Sequence, residues 1–399
     1  MLKSDNMKNY QLIIFLTIVL TIYSCANIYI YLKGYCSIPA FRTYRLLSLL
    51  IFVLLAATFI AGKFLEASHS STLSDVLNIA GGFWMAFLLY GFLFLFLSDL
   101  ISLVLRIAGV LNSGNIMHYR KWAFMLTVSA SVIFISGGFI NSLIPRVKKY
   151  EISINKSAGE VREFRIAAVS DIHLGSNIRK GSMLKLSGIL NTLKPDLILL
   201  LGDIVDGEIG PVLRGDLLKY FKCPKSPCGL CAITGNHEFI GGAKKTIPYI
   251  ESKGIRILKD EIVEIQGGIQ LIGRLDRDSQ RFFGMARMAL SELIKKTDRS
   301  KPVILLDHQP LELGEAEKSG IDLQLSGHTH NGQMWPLNYI TGMIYELSYG
   351  YLKKGNTQYI VSSGFGLWGP KVRSGSRSEV LLITLKFRNN LKASGNQVF

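Results

Sequence analysis

The sequence predicts a chain in two parts: an all-α region of four membrane-crossing helices, then an α+β domain of layered sheets and helices. Long uncharged stretches crowd the first 145 of its 399 residues, whereas the rest alternates short apolar runs with amphipathic ones, as strands and helices do. A further regularity bears on function. Five of the apolar runs end on a residue able to bind a metal.

The helical region comes first. Between Lys8 and Lys33 lie 24 uncharged residues, and similar stretches run over 46–62, 76–98 and 122–145. At 1.5 Å per residue three of these cross a hydrocarbon core of ~30 Å, and the stretch 46–62 stands at the lower limit. Buried helices of a soluble protein are usually shorter and carry a polar stripe. Gly81, Gly82 and Gly91, and later Ser129, Ser131, Gly137 and Gly138, offer small surfaces for close helix contact. No ionisable residue lies inside a stretch, so nothing marks an ion or proton path and a transporter is disfavoured. Lys3 and Lys8 precede an apolar run reaching Ile22-Tyr23-Ser24-Cys25, loosely like a cleaved lipoprotein signal, but Tyr23 spoils that pattern and the run continues past Cys25. Four spans put both termini on one side. Six Lys and Arg flank the spans on each side, so the positive-inside rule leaves the orientation open.

Charge separates the two parts. The chain holds 45 Lys+Arg and 29 Asp+Glu, a net +16, of which residues 1–145 carry nine and four (+5) and the remainder 36 and 25 (+11). A basic domain beside an apolar region suits anionic headgroups or an acidic substrate such as a phosphate ester. No cluster of five or more basic residues points to nucleic acid. Cys223, Cys228 and Cys231 lack a fourth ligand at a recognisable spacing and read as free thiols rather than a zinc site, which fits a reducing compartment.

The second part, from residue 146, begins with almost no linker and a strand over 149–154. Residues 164–170 form a buried strand that delivers Asp171 and His173, two residues apart on the departing turn, where both can face one cation. A helix over 183–193 ends at Lys194-Pro195, and a buried strand over 196–201 leads to Gly202-Asp203, the glycine allowing close backbone approach. Residues 213–221 read as a helix and 229–234 as a strand before Gly235-Asn236-His237-Glu238. Residues 244–253 look helical, 255–272 alternate like one or two hairpins, and Arg274 and Asp276 follow. An amphipathic helix spans 282–294, a strand over 302–306 precedes Asp307-His308, and one over 321–326 precedes Gly327-His328-Thr329-His330. Taken singly, such residues are turn formers or core histidines. Jointly they are a site, because five of the seven histidines fall at strand ends and only His69 and His118 lie elsewhere.

Asp171-x-His173, Gly202-Asp203, Gly235-Asn236-His237-Glu238, the isolated His308 and Gly327-His328-Thr329-His330 resemble the five-block signature of calcineurin-like metallophosphoesterases. The likeness covers nearly the whole domain, in order, with every metal position filled. Gly364-x-Gly366 through Arg373 and Glu379 also resembles the tail of a subgroup with membrane-attached and exported bacterial members, although Ser378 stands where a proline is common there. The resemblance implies a four-layer αββα sandwich over 146–399. It implies one ion held by Asp171, His173, Asp203 and His330, and a second by Asp203, Asn236, His308 and His328, with Asp203 bridging. Mixed oxygen and nitrogen donors suit Mn, Fe or Zn rather than Ca or Mg. Such a pair activates water for in-line attack and clamps the phosphoryl oxygens.

His237, implied not to be a ligand, is the candidate to protonate the leaving oxygen, the alternative being that it holds Asn236 or Asp203 in place. Arg274 offers a donor fork to a substrate phosphate, or is a solvated surface group. Asp276, Trp368 and Arg373 are further candidates for lining the site, and Asp206 and Glu238 for orienting its residues. The expected protein is a multi-pass, membrane-anchored hydrolase of phosphoester or pyrophosphate bonds in a bacterial inner membrane, with its catalytic domain in the cytoplasm. Its expected partners are membrane lipids and a phosphorylated small molecule or lipid, such as UDP-diacylglucosamine, not nucleic acid. Two other readings are a phosphodiesterase of soluble nucleotides, and a membrane sensor or scaffold with a non-catalytic appendage.

Overall fold

The computed structural model of the protein describes residues 2–222 and 226–388, so Cys223 lies outside the described residues. Cys228 and Cys231 are free thiols. The chain divides into two compact units, one formed by Met1–Phe64 and Val76–Gly137, the other by Leu65–Asp75 and Gly138–Phe399.

Helices α1 (Leu2–Ser37), α2 (Pro39–Thr43), α3 (Arg45–Ser68), α4 (Thr72–Ile107) and α5 (Ile116–Ser142) account for the apolar region. Among the described residues, four segments are long and apolar enough to cross a membrane: Leu16–Ser37, Arg45–Ser68, Thr72–Ile107 and Ile116–Ser142. The helices outrun the uncharged stretches because Lys, Glu and Arg propagate a helix as well as Leu does. Within the first unit, Ile30, Trp84, Leu88, Leu95 and Phe124 form a buried cluster. Trp84 stands edge-on to Phe52 at 4.9 Å and donates from Nε1 to Asn27 Oδ1 at 3.1 Å, so its indole is packed and satisfied. Leu46, Leu126 and Ile133 point outward, as hydrocarbon requires.

Among the described residues, the second unit holds two six-stranded sheets. Strands β1 (Arg146–Ile154), β2 (Glu163–Val169), β3 (Leu197–Leu201), β4 (Leu230–Ile233), β5 (Arg256–Leu258) and β12 (Glu379–Phe387) form one, in the order β1-β12-β2-β3-β4-β5. Strands β6 (Glu261–Ile265), β7 (Ile269–Gly273), β8 (Val303–Leu306), β9 (Leu323–Ser326), β10 (Gly350–Lys354) and β11 (Thr357–Val361) form the other, in the order β10-β11-β9-β8-β7-β6. Parity along each strand explains the layers, because alternate side chains face opposite ways. Ile166, Ala168, Leu199 and Leu201 of the first sheet meet Leu271, Ile304, Leu306 and Leu325 of the second in one core. Their neighbours Ala167, Val169, Ile198 and Leu200 pack instead on Met183, Leu186 and Leu190 of α6 (Lys180–Leu193). On the far face Ile272, Val303 and Leu305 cover α11 (Leu290–Ile294) and α12 (Leu313–Lys318). The result is the expected four-layer αββα sandwich, its central strands buried on both faces and so read as unbroken apolar runs.

Several elements differ from expectation. Residues 213–221 break into α7 (Gly210–Gly215) and a 3₁₀ turn at Leu217–Tyr220, separated by Asp216 with φ 41°. The helix expected over 282–294 is two, α10 (Asp278–Phe283) and α11, because Gly284 leaves the helix at φ 67°. Within 255–272, β5 joins the first sheet while β6 and β7 make a hairpin in the second. Gly138 serves the second unit rather than a helix contact, since a Cβ there would meet Val372 Cγ1 at 2.5 Å. Helices α8 (Asn236–Ile240) and α9 (Ala243–Ser252) follow β4, and α13 (Leu337–Ile344) follows β9.

Leu65–Asp75 folds with the catalytic unit through one carboxylate. Asp75 is buried, and its oxygens lie 2.9 Å from Ser176 Oγ, 3.3 Å from an Arg179 nitrogen and 2.7 Å from an Arg214 nitrogen. Ser176 Oγ also lies 3.0 Å from Glu66 Oε1. Ser176 is three residues beyond His173, so this network braces the first of the site loops.

Candidate metal centre

Five buried strands end where the cluster begins. Asp171 and His173 follow β2, Asp203 follows β3, Asn236 opens α8 after β4, His308 follows β8, and His328 and His330 follow β9. Five of these residues adopt left-handed backbone: Asp171 (φ 53°), His173 (50°), Asp203 (51°), His328 (71°) and His330 (48°). Such conformations cost of order 1–3 kcal/mol each in a non-glycine residue and persist where the surroundings impose them. Glycines make the crowding possible. A Cβ on Gly202 (φ 90°) would sit 2.7 Å from His308 Nδ1, and one on Gly235 would run into the Asp203 carboxylate.

The ligand atoms of Asp171, His173 and His330 lie within 4.8 Å of one another, as do those of His173, Asp203 and His237, and those of Asp203, His308 and His328. Asp203 thus belongs to both halves, its Oδ2 standing 3.2 Å from His308 Nε2 and 3.7 Å from His173 Nε2. His330 Nε2 is 2.9 Å from His173 Nε2 and 3.4 Å from Asp171 Oδ1. Asn236 joins the second half, its Oδ1 2.9 Å from His328 Nδ1.

The donor set fits divalent cations. His308 Nδ1 lies 2.7 Å from Leu201 O, to which it donates, which turns Nε2 toward Asp203, and that buried atom makes no hydrogen bond. His173 Nε2 and His330 Nε2 face each other at 2.9 Å beside the buried carboxylates of Asp171 and Asp203. Divalent cations would find nitrogen and oxygen donors already gathered in each half of this buried cluster.

Neighbours hold the loops. The buried Glu238 carboxylate accepts from the amides of Asp203 (3.0 Å), Ile204 (2.8 Å), Val205 (3.0 Å) and Gly235 (2.7 Å), tying the ends of β3 and β4 together. Burial and the Asp203 charge push its carboxyl up to about 7, against the amides that favour its charged form. Asp206 lies 3.2 Å from His173 Nδ1 and 3.3 Å from His237 Nδ1. Burial acts to raise its carboxyl, but these two histidines outweigh it and hold it well below the usual range. Burial also presses His173 down, yet Asp171 and Asp206 prevail and raise the imidazole to about 10. Burial and His308 take His328 down to about 4, the lone-pair form a ligand needs.

The remaining sequence candidates fall in different places. His237 lines the cleft, half-buried, with its backbone amide donating to Asp203 Oδ1 at 2.9 Å. Arg274 is not brought to the cluster. Its guanidinium is buried, 3.0 Å from Glu315 and 3.8 Å from Asp307, and donates to Met288 O at 2.8 Å, so its fork braces the loop before α11. Arg373 is fully buried rather than lining an open site, and donates to the carbonyls of Ser363, Gly364 and Gly366 beside His330. Asp276 accepts from Gln309, its carboxyl pushed up to about 6 by burial, and Trp368 does line the cleft. The cleft has a volume of about 360 Å³, and its second wall of Met334, Leu337, Thr341 and Tyr345 carries no metal-type residue that a sequence pattern could flag.

Two sheets packed face to face, with three overlapping groups of Asp and His at their strand ends, define a class of hydrolases that work with paired metal ions. A family model described as calcineurin-like phosphoesterase matches residues 164–332. An uncharacterized metallophosphoesterase of Aquifex aeolicus is 34% identical over 248 residues, covering 61% of this chain and 93% of its own length. A Campylobacter jejuni protein described in the same words is 29% identical over 385 residues, covering 94% of this chain and 98% of its own. A transmembrane protein with metallophosphoesterase domain from Danio rerio is 26% identical over 362 residues, covering 88% and 82%. The chain belongs to the calcineurin-like metallophosphoesterases and is a metal-dependent phosphoesterase carried by a membrane protein.

Proposed function

We propose that this protein hydrolyses a phosphoester or pyrophosphate bond in a lipid-linked substrate. The observation that carries this reading is the wall of the cleft. Leu337, Thr341 and Tyr345 of the α13 region face the same cavity as His237 and His330, while Tyr339, Ile340, Met343 and Ile344 of that helix are exposed. An eight-residue helix with no buried side chain, beside a metal-type cluster in a membrane protein, suits a substrate with a phosphorylated head and an apolar tail. A UDP-glycolipid such as UDP-diacylglucosamine has that form.

One cation is assigned to Asp171, His173, Asp203 and His330, and the other to Asp203, Asn236, His308 and His328, with Mn, Fe or Zn as the candidates. When bound, they supply Lewis acidity toward the phosphoryl oxygens and toward water. His237 holds a proton for the leaving oxygen. With Nδ1 beside Asp206, its Nε2 is the nitrogen that serves substrate. We assign the catalytic unit to the cytoplasmic side of a bacterial inner membrane, which the free thiols of Cys228 and Cys231 support.

Incubating the purified full-length protein and Mn with a bacterial lipid extract, then identifying consumed species by mass spectrometry, tests the reading. The expected result is loss of a phosphorylated or pyrophosphate lipid with wild type and none with Asp203→Ala. Turnover of soluble nucleotides alone, with every lipid untouched, would reassign the protein to nucleotide phosphodiesterases.

A further inference from the structure

The first unit contains a cavity of about 440 Å³ between the ends of α1, α4 and α5, lined by Tyr29, Lys33, Asp99, Arg106, Tyr119 and Arg120 above an apolar floor that includes Leu95 and Phe124. Its one carboxylate is engaged. Asp99 Oδ1 pairs with Lys33 Nζ at 2.6 Å, and Oδ2 accepts from Tyr29 O–H at 2.6 Å. Among the described residues, no ion pair engages Arg106 or Arg120. The cavity therefore has two uncompensated guanidinium groups at its rim and aliphatic and aromatic surface below.

Position adds to chemistry. Lys33 lies in the last turns of the segment Leu16–Ser37, Arg106 in the last turn of α4 and Arg120 in the second turn of α5, so all stand where helices meet a headgroup layer. The same end of the helices holds Arg42, Arg45 and Lys121, with Asp99 as its acid. A bidentate guanidinium matches a phosphodiester, and basic pockets between membrane helices take anionic headgroups.

We propose that this cavity binds the phosphate headgroup of an anionic phospholipid, Arg106 and Arg120 gripping the phosphodiester while the glycerol and upper acyl carbons lie against the apolar floor. The site is separate from the metal centre and does not depend on what that centre hydrolyses.

Native mass spectrometry of the full-length protein in detergent, titrated in turn with phosphatidylglycerol, phosphatidylcholine and inorganic phosphate, tests it. Wild type should retain one phosphatidylglycerol about tenfold more tightly than phosphatidylcholine. The double variant Arg106→Gln/Arg120→Gln should lose that preference yet hydrolyse bis-p-nitrophenyl phosphate at the wild-type rate, which shows that it folds. Lys121→Gln, outside the cavity, should keep the preference. Equal retention of both lipids by wild type, or an undiminished preference in the double variant, overturns the proposal. Displacement of phosphatidylglycerol by millimolar phosphate would reassign the cavity to the free anion.

Discussion

Asp206 and His237 show what a single side chain contributes once its neighbours are known. Because His173 and His237 hold the Asp206 carboxyl well below its ordinary range, the folded state is favoured wherever Asp206 is ionised in the unfolded chain, above about pH 4, and that advantage disappears as acid protonates it. In chelator-treated protein, Asp206→Asn should therefore melt lower than wild type at pH 7, the gap narrowing as the pH falls from about 5 to 3; a constant gap would contradict this assignment. His237→Ala should slow hydrolysis of an alkyl phosphodiester about a hundredfold or more, but cost far less with p-nitrophenolate, which leaves without a proton. Equal losses on both leaving groups would make His237 a positioning residue. Most of this cluster is legible in the sequence, since glycines and short polar motifs mark every strand end. Arg274 misleads there because pairing with Glu315 and Asp307 depends on contacts 41 and 33 residues away.

Among the elements, α13 has the clearest assignment to test. Met343 and Ile344 are 79% and 65% exposed and do not line the cleft, so Met343→Glu/Ile344→Glu leaves the fold and the metal ligands alone. The variant should raise KM for the lipid substrate about tenfold or more, through lost apolar contact, without changing turnover of bis-p-nitrophenyl phosphate. Unchanged kinetics on both substrates would remove the helix from substrate capture. Strands are legible where burial on both faces produces runs such as Leu197–Leu201, whereas a helix breaks within its amphipathic pattern where one residue takes left-handed backbone, as Asp216 and Gly284 do. Alternation over 255–272 signalled strands but not their sheet. That choice is made by pairing partners distant in sequence, Ile233 to Leu258 in one sheet and Gly273 to Leu306 in the other.

At the scale of the molecule, the two buried carboxylates of Asp171 and Asp203 and five imidazoles share one pole of the sandwich, where bound cations would relieve their mutual conflict. Removing metal with a chelator should abolish hydrolysis and lower the melting temperature by about 5–10 °C, with both restored by Mn, as expected for ligands binding only the folded state at about a hundredfold excess over Kd. A melting curve indifferent to chelation would argue against bound ions. The membrane segments were legible by length and hydropathy alone, because nothing else satisfies that pattern. What no pattern disclosed is that Leu65–Asp75 belongs to the catalytic unit, since Asp75 finds Ser176, Arg179 and Arg214 only after more than 100 intervening residues have folded.

That inserted segment limits how the enzyme can be released from its anchor. A protease cutting after residue 145 would sever one covalent tether, but Leu65–Asp75 would stay joined at both ends to helices of the first unit while its Asp75 holds Ser176, Arg179 and Arg214 of the enzyme. Shedding a soluble, intact hydrolase by a single cleavage is therefore ruled out by chain connectivity, and a recombinant fragment beginning at residue 146 would lack part of its own scaffold.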